Sequence, residues 1–343
     1  MTCSARRVRV ATVAVFAWTA TLGSGGRASA AQATPPATRR SLAFVSNEGS
    51  QDISVVDLRT QRVVATIPIG ARPRGIQVGP DGRRIFVAVS DDAPNAESDR
   101  DAIVVIDAAS RREVARFKAG TDPEQLAVAP DGSRVFAANE DAGTTTVIDL
   151  RTRRVLSTAV VGIEPEGIAA SPDGRWVYVT AETSNSVSVL DARTNAVVGN
   201  VLVDPRPRAV AFSPDGRRAY VTAEIGGTLV VLDTRTREVL ETIELEGGEG
   251  KPVGVAVAPD GRWIYVANGS ADRVSVVDAA RLRVVRSVAV GRRPWGVAVS
   301  PDGRFIYTAN GLSNDVSVID ATALRVLATI PVGRRPWGLA ISP

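Results

Sequence analysis

Residues 293–307 read Arg293-Pro294-Trp295-Gly296-Val297-Ala298-Val299-Ser300-Pro301-Asp302-Gly303-Arg304-Phe305-Ile306-Tyr307. A basic residue and a proline lead into a short apolar run, a Pro-Asp-Gly turn reverses the chain, and a second apolar run follows. Proline presets the first corner of such a turn, aspartate bonds backbone N–H groups, and glycine accepts the positive φ. The start of this unit returns at residues 335–343. Degenerate copies elsewhere in the chain predict a repeat array.

Each copy spans about 42 residues and contains four short runs that are rich in Val, Ile and Ala. In one copy the first three runs are residues 167–170, 176–179 and 187–190, and the Pro-Asp-Gly turn joins the first two. Four short strands in a repeat of this length indicate a β-propeller blade. An aspartate ends the third run of each copy. The even distribution of these aspartates favours a turn cap over a shared ligand set. These aspartates are Asp57, Asp107, Asp149, Asp191, Asp233, Asp278 and Asp320.

Seven such copies predict an all-β fold, a seven-bladed β-propeller with four antiparallel strands per blade. The last copy has only a first strand, and the earliest lacks one, so residues 336–343 and 41–70 are expected to close one blade together. Such closure removes the free edges of an open array. The predicted domains are a signal peptide at residues 1–30, a disordered lead-in at 31–40 and the propeller at 41–343.

The predicted signal peptide has a basic start, an apolar run from Val10 to Leu22 and small residues at 28–30. Cleavage near Ala30 would place the protein in the periplasm or outside the cell, although the sequence does not separate Sec from twin-arginine export. The remaining chain has no cysteine and equal numbers of acidic and basic residues. This balance gives no case for nucleic-acid binding. We further expect no membrane span in the mature chain and a monomer.

The second strands share a short sequence motif: Tyr178-Val179-Thr180, Tyr220-Val221-Thr222 and Tyr265-Val266-Ala267-Asn268. This pattern resembles the YVTN family of β-propeller repeats over nearly all of residues 41–343. The Arg-Arg-Pro-Trp-Gly blades beside residues 310–318 look most like the propellers associated with catabolism that depends on pyrroloquinoline quinone (PQQ). That resemblance implies a compartment and a link to quinoprotein alcohol oxidation, and it implies no catalytic residues.

The chain contains no histidine. This absence removes the usual general base, the Ser-His-Asp and Cys-His arrangements and the commonest metal ligand. Zinc, copper and haem sites are therefore not expected, and no metal or catalytic residue is assigned. Carboxylate chemistry, either a calcium site or lactone hydrolysis, stays open. The acidic insertion at residues 91–102 lacks the spacing of a calcium loop and is interpreted as solvated.

The repeats differ most where each first strand begins, which in a propeller lies near the channel mouth. If the blades are numbered by their first strands from Arg72 onward, blades six, seven and one bring arginine and tryptophan together there, whereas blades two and three bring glutamate. Arginine binds carboxylates through paired donors and tryptophan offers a flat apolar face. The alternative is that each Trp packs between blades and each Arg pairs with a glutamate. The predicted ligand-binding or partner-binding residues are Arg72, Arg74, Arg293, Trp295, Arg335, Trp337, Glu124, Glu166 and Arg208.

A second row follows the second strands and should lie on the same face as these strand beginnings. It contains Glu48, Glu140, Glu182 and Glu224, together with several asparagines that turn formation alone explains.

Two hypotheses follow. The first is a non-catalytic binding or scaffold propeller, accessory to a PQQ-linked oxidation system, whose mouth takes an anionic ligand or a protein partner. It needs no cofactor of its own, and PQQ, a planar tricarboxylate, is a candidate ligand. The alternative is a hydrolase of the lactonase type that uses carboxylates facing the channel.

Overall fold

The computed structural model describes Met1, residues 41–91 and residues 98–343. The predictions for residues 1–30, for 31–40 and for most of the acidic insertion lie outside the described residues. At the end of that insertion Asp101 is buried, and it accepts hydrogen bonds from the N–H groups of Asp91 and Ser98 at 3.2 and 3.3 Å. The interpretation as a fully solvated loop is therefore wrong for this carboxylate.

The described strands form seven sheets of four antiparallel strands, as predicted. Blade 7 contains β1 (Leu42–Asn47), β2 (Asp52–Asp57) and β3 (Arg62–Pro68). Blade 1 contains β4 (Arg72–Val78), β5 (Arg84–Ser90), β6 (Ala102–Asp107) and β7 (Arg112–Lys118). Blade 2 contains β8 (Pro123–Val128), β9 (Arg134–Asn139), β10 (Thr144–Asp149) and β11 (Arg154–Val160). Blade 3 contains β12 (Pro165–Ala170), β13 (Trp176–Ala181), β14 (Ser186–Asp191) and β15 (Ala196–Leu202).

The remaining blades follow the same order. Blade 4 contains β16 (Pro207–Phe212), β17 (Arg218–Ala223), β18 (Thr228–Asp233) and β19 (Val239–Glu244), and a 3-10 turn follows at Glu246–Gly248. Blade 5 contains β20 (Pro252–Val257), β21 (Trp263–Asn268), β22 (Arg273–Asp278) and β23 (Arg283–Ala289). Blade 6 contains β24 (Pro294–Val299), β25 (Phe305–Asn310), β26 (Asp315–Asp320) and β27 (Arg325–Pro331), and β28 (Pro336–Ile341) completes blade 7.

Both ends of the propeller sequence contribute to blade 7, which confirms the predicted closure. Strand β28 pairs antiparallel with β1, and Ala43 lies opposite Ile341 while Val45 lies opposite Leu339. The backbone N–H of Ser342 donates to the carbonyl of Leu42 at 2.8 Å. The ring is therefore closed by backbone pairing between distant parts of the chain.

The hydrophobic core lies between neighbouring blades. Each of seven clusters contains side chains from two adjacent blades; one of them joins Phe44 and Ile53 of blade 7 to Ile76 and Ile85 of blade 1. Each blade thus buries both of its faces against its neighbours, which explains the near-continuous apolar composition of its second and third strands.

The turns define two opposite faces of the ring, because successive strands of a blade run in opposite directions. We call the end that carries the Pro-Asp-Gly and aspartate turns the turn face. All six glycines of the Pro-Asp-Gly turns have φ between 65° and 71°. The aspartates cap the second kind of turn as predicted; Asp233 Oδ1, for example, accepts the N–H groups of Arg235 and Thr236 at 2.8 Å. The opposite end, where first strands begin and second strands end, is the mouth face.

No helix in the described part of the chain is long and apolar enough to cross a bilayer.

Candidate functional site

One backbone device, repeated around the ring, places two rows of side chains at the mouth face. In six blades the residue after the second strand donates its N–H to the carbonyl of the residue before the first-strand proline; Glu182 to Glu164 is 2.9 Å and Glu224 to Arg206 is 2.8 Å. That pre-proline residue has left-handed backbone in six blades, with φ between 46° and 61°. Left-handed backbone is costly for residues with side chains, so the surrounding structure must hold it in place.

All nine residues predicted for the site lie at the mouth face. Those at the third position of the motif, Arg74, Glu124, Glu166, Arg208, Trp295 and Trp337, lie on the first strands that line the channel. Arg72 begins β4, while Arg293 and Arg335 come directly before β24 and β28. The structure therefore confirms their placement at the mouth, whereas ligand or partner binding by them stays a prediction.

The charges of blades 7, 1 and 2 are paired, and most of these pairs cross a blade boundary. Arg74 contacts Glu124 in an ion pair and lies 3.2 Å from Oε1 of Glu48. Arg72 donates to Asp122 at 2.7 Å, and Arg335 lies 3.1 Å from Glu48. The basic and acidic sides expected from the sequence are therefore interleaved here, because a long arginine side chain of one blade reaches the carboxylates of the next.

A second network on blades 3, 4 and 6 surrounds Arg208, which is only 7% exposed. Its Nη1 lies 2.9 Å from Glu166 and also pairs with Glu182, while its Nε is 3.7 Å from Glu224. Burial alone would lower the pKa of Arg208, but these three carboxylates raise it above its ordinary value. Arg208 is thus a permanently charged group held inside a ring of carboxylates.

Two carboxyl groups of the mouth have raised pKa values. Burial, followed by the charge of Glu166, raises the pKa of Glu182 to about 7, although Arg208 opposes the shift. Burial and then Asp122 raise the pKa of Glu140 as well. A carboxyl group that titrates near neutral pH is suited to general acid–base chemistry. The sequence indicated Glu182 by its position in the second row, but the pKa of Glu182 depends on burial and on contacts with Glu166 of the same blade and Arg208 of the next blade.

Trp295 and Trp337 stack beside these charges. Their ring centroids are 6.3 Å apart with an interplanar angle of 27°, and the guanidinium of Arg293 lies 4.9 Å from the Trp295 centroid. Both indole side chains are half-buried, so neither belongs entirely to the hydrophobic core. Gly311 makes room for this arrangement, because a Cβ there would lie 2.6 Å from Cδ1 of Trp295.

Two cavities adjoin the tryptophans. One, of about 140 Å³, is lined by Glu166, Arg208, Trp295 and Trp337 at the centre of the ring. The other, of about 280 Å³, opens beside Arg293, Arg335 and Leu312. The mouth therefore offers a flat apolar surface next to guanidinium donors and to the buried carboxylates.

Among the described residues, Asp122, Glu124 and Glu140 form a cluster whose oxygens lie within 4.8 Å of one another, close enough to hold a metal ion. Arg72 pairs with Asp122, and Arg74 pairs with Glu124 and lies 3.9 Å from Glu140. The protein thus supplies the balancing positive charge itself, and the cluster carries no assignment as a metal site.

Comparisons with known proteins agree with this architecture. Residues 204–324 match the family described as "Lactonase, 7-bladed beta-propeller". Residues 38–202 match the "Choice-of-anchor I domain". A search of curated proteins gives no significant match.

Solved structures resemble nearly the whole chain. The periplasmic gluconolactonase PpgL of Pseudomonas aeruginosa is 25% identical, with 88% of this chain and 99% of that chain covered and a TM-score of 0.73. Kuenenia stuttgartiensis hydrazine synthase is 24% identical over 85% of this chain and 99% of that one, also with a TM-score of 0.73. A putative 6-phosphogluconolactonase of Bacteroides fragilis is 18% identical over 90% and 100%, with a TM-score of 0.73.

In architecture the chain is a seven-bladed β-propeller, and its residues 204–324 resemble the lactonase family of seven-bladed propellers. The narrower resemblance to the PQQ-associated group of propellers stays a prediction from the sequence of the repeats.

Proposed function

We propose that the protein is a lactone hydrolase whose reaction takes place at the channel mouth. Of the two hypotheses from the sequence, the family match and the gluconolactonase neighbours favour this alternative over a non-catalytic scaffold. Because one fold hosts many activities, the proposal depends on the site itself. The observation that carries it is Glu182, a buried carboxyl group whose pKa of about 7 suits a general base at neutral pH.

Hydrolysis of a lactone opens a cyclic ester. Glu182 accepts a proton from a water molecule as the water oxygen bonds to the carbonyl carbon, and negative charge develops on the carbonyl oxygen. The ring C–O bond then breaks, and the proton held by Glu182 passes to the departing oxygen. The products are a hydroxyl group and a carboxylic acid on one chain, and the acid loses its proton to solvent.

Two partly exposed arginines of the network that contains Glu182 and Glu224 can stabilise the oxyanion. Arg206 donates from Nε to Glu182 at 2.7 Å, and its side chain is 43% exposed at the mouth. Arg293 approaches Glu224 at 3.9 Å and is 32% exposed. Guanidinium groups already fixed by carboxylates need little reorganisation when charge develops on a substrate, and such preorganised donors contribute strongly to acyl transfer.

The stacked tryptophans supply the surface on which a ring can lie. A sugar lactone has an apolar face of C–H groups and a polar edge, which match an indole plane and a neighbouring guanidinium. Trp295, Trp337 and Arg293 would then position the substrate, while Glu182 and Arg206 act on its ester group.

The proposal is tested with Glu182→Gln, which keeps the shape and removes the proton acceptor. With glucono-δ-lactone as probe, and after subtraction of spontaneous hydrolysis, kcat/KM should fall about 100-fold or more. Glu113→Gln is the matched control, because Glu113 lies exposed on the outer strand β7 and should leave the rate unchanged. Equal activity of the two variants would contradict the assignment.

A second function, favoured by the stack of Trp295 on Trp337 beside Arg293, is binding of a planar anionic ligand such as PQQ without turnover. In that case the protein would be accessory to a quinoprotein oxidation system in the periplasm or outside the cell. Titration of tryptophan fluorescence with PQQ distinguishes the two: tight quenching without lactone hydrolysis supports binding, and its absence removes this candidate.

A further inference from the structure

The two faces of the propeller carry opposite net charge. The described segments that form the turn face, taken with the strand-end residues that flank them, contain 21 arginines, no lysine and 14 carboxylates. The corresponding described segments of the mouth face contain 17 carboxylates against 10 basic residues. The near-neutral charge of the whole sequence therefore conceals a strong dipole along the axis of the ring.

The arginines of the turn face are accessible. Sixteen of the 21 are exposed, and they are spread over all seven blades. The capping aspartates direct their Oδ1 atoms at backbone N–H groups; Asp191, for example, accepts those of Arg193 and Thr194 at 2.9 and 2.8 Å. The carboxylates are thus turned toward the backbone while the guanidinium groups project from the same turns.

Exposed aliphatic side chains surround this basic face. In every blade the first three residues of the outer strand include an exposed valine or leucine, such as Val114 at 50%, Val155 at 51% and Leu240 at 46%. These strands begin at the turn face, so the aliphatic ring lies beside the arginines. A basic surface next to exposed aliphatic side chains is the composition that peripheral membrane proteins use at the headgroup region of a bilayer.

We infer that the turn face docks on an anionic lipid bilayer, with the mouth face directed away from it. Arginine attracts lipid phosphate through paired donors, and the charge is distributed around a ring rather than along a groove. A strand of nucleic acid would need stacking aromatics. At this face, however, Trp176 and Trp263 are half-buried and already covered by guanidinium groups, of Arg175 at 4.7 Å and of Arg262 at 4.9 Å.

Docking in this orientation leaves the site open. The acidic mouth face is repelled by the same lipids, so the dipole alone selects one of the two ring orientations. Small substrates would then reach Trp295 and Glu182 from solvent. This inference concerns the opposite face of the ring and does not depend on the reaction proposed for the mouth.

The experiment is sedimentation of the propeller, residues 41–343, with vesicles. We expect binding to vesicles that contain phosphatidylglycerol, little binding to pure phosphatidylcholine, and a steep loss between 50 and 300 mM salt because surface charges are screened. The variant Arg151→Glu, Arg193→Glu, Arg235→Glu reverses three exposed arginines of the turn face, none of which forms an ion pair among the described residues. It should bind these vesicles about tenfold more weakly.

The control variant, Lys251→Glu, Arg286→Glu, Arg292→Glu, changes the net charge equally away from the turn face, and its binding should change less than twofold. If both variants bound the vesicles equally weakly, the net charge of the protein would be what attracts it to the lipid, and the proposed orientation would be overturned. Equal binding to neutral vesicles would overturn the electrostatic basis. Absence of vesicle binding at low salt, with binding of a single-stranded oligonucleotide, would overturn the lipid assignment in favour of nucleic acid.

Discussion

At the scale of single residues, the position of Glu182 decides its chemistry. The carboxyl group is 3% exposed, lies between two arginines and faces a second buried glutamate. Burial and like charge favour the neutral form, whereas the arginines favour the anion, and the pKa of about 7 is the outcome. The sequence predicted that Glu182 lies in the row that follows the second strands at the mouth face. Its pKa could not be predicted without its contacts with Glu166 and Arg208.

The raised pKa of Glu182 has a consequence for stability. Because the folded-state pKa exceeds the unfolded one, its contribution is fully present below about pH 4.5 and is lost as the pH rises through about 7. The stability difference between the wild type and Glu182→Gln should therefore change across this range, against the wild type at high pH, by at most about 3 kcal/mol. Urea denaturation at pH 5 and pH 8 measures it, and an identical difference at both pH values would contradict the raised pKa.

A glycine at the channel gives a second test at this scale. A Cβ on Gly254 would lie 2.4 Å from the carbonyl oxygen of Trp295, whereas on Gly269 its nearest neighbour would be 3.4 Å away. Gly254→Ala should therefore push neighbouring first strands apart and cost about 1–3 kcal/mol, as overpacking does. Gly269→Ala is the matched control, and thermal melting compares them; equal Tm values would show that the channel wall is not close-packed here.

At the scale of elements, the repeat made most of the fold predictable. Residues 187–190 fall within β14 and residues 167–170 within β12, because Pro-Asp-Gly and the capping aspartate mark strand ends by local chemistry. Charge pairing was less predictable. Glu48 contacts Arg72 and Arg74 of the neighbouring blade, and it contacts Arg335 from the other end of the propeller sequence within its own blade. The spacing within one repeat carries no information about such contacts.

The stacked tryptophans of the adjacent first strands β24 and β28 lead to a prediction about ligand binding. Since Trp295 and Trp337 are half-buried and stacked on each other, their joint replacement by alanine should raise KM or Kd at least tenfold while lowering Tm by only a few degrees. Fluorescence or calorimetric titration and thermal melting are measured on the same samples. A collapse of Tm would show that the pair serves the core instead.

At the scale of the whole molecule, the closure of blade 7 leads to a prediction about stability. Ala43 and Ile341 face each other next to the hydrogen bond from Ser342 to Leu42, which makes them a non-hydrogen-bonded pair with short Cα spacing. Since the propeller sequence contains no cysteine, Ala43→Cys with Ile341→Cys can form one defined disulfide. It should stabilise the oxidised protein by about 2–4 kcal/mol.

Urea denaturation with and without reductant measures this gain, and each single cysteine variant is the control. No difference between oxidised and reduced double variant, with the disulfide shown to be formed, would contradict the pairing of β28 with β1.

The two roles proposed above fall on opposite faces of the ring. The buried Glu182 and the stack of Trp295 on Trp337 lie at the acidic mouth face, while most of the exposed arginines and the ring of exposed aliphatic side chains lie at the turn face. In each four-stranded repeat the mouth face is built from the beginning of the first strand and the end of the second, and the turn face from the Pro-Asp-Gly and aspartate turns.

The most direct measurement of the central claim is the pH dependence of kcat/KM for lactone hydrolysis by the wild type and by Glu182→Gln. If Glu182 is the general base, it must be ionised, so the wild-type value should rise with pH and level off above about 7. The variant should be about 100-fold slower and lack this inflection. A wild-type profile without an inflection between pH 5 and 8, or a variant that keeps both rate and inflection, would contradict the account.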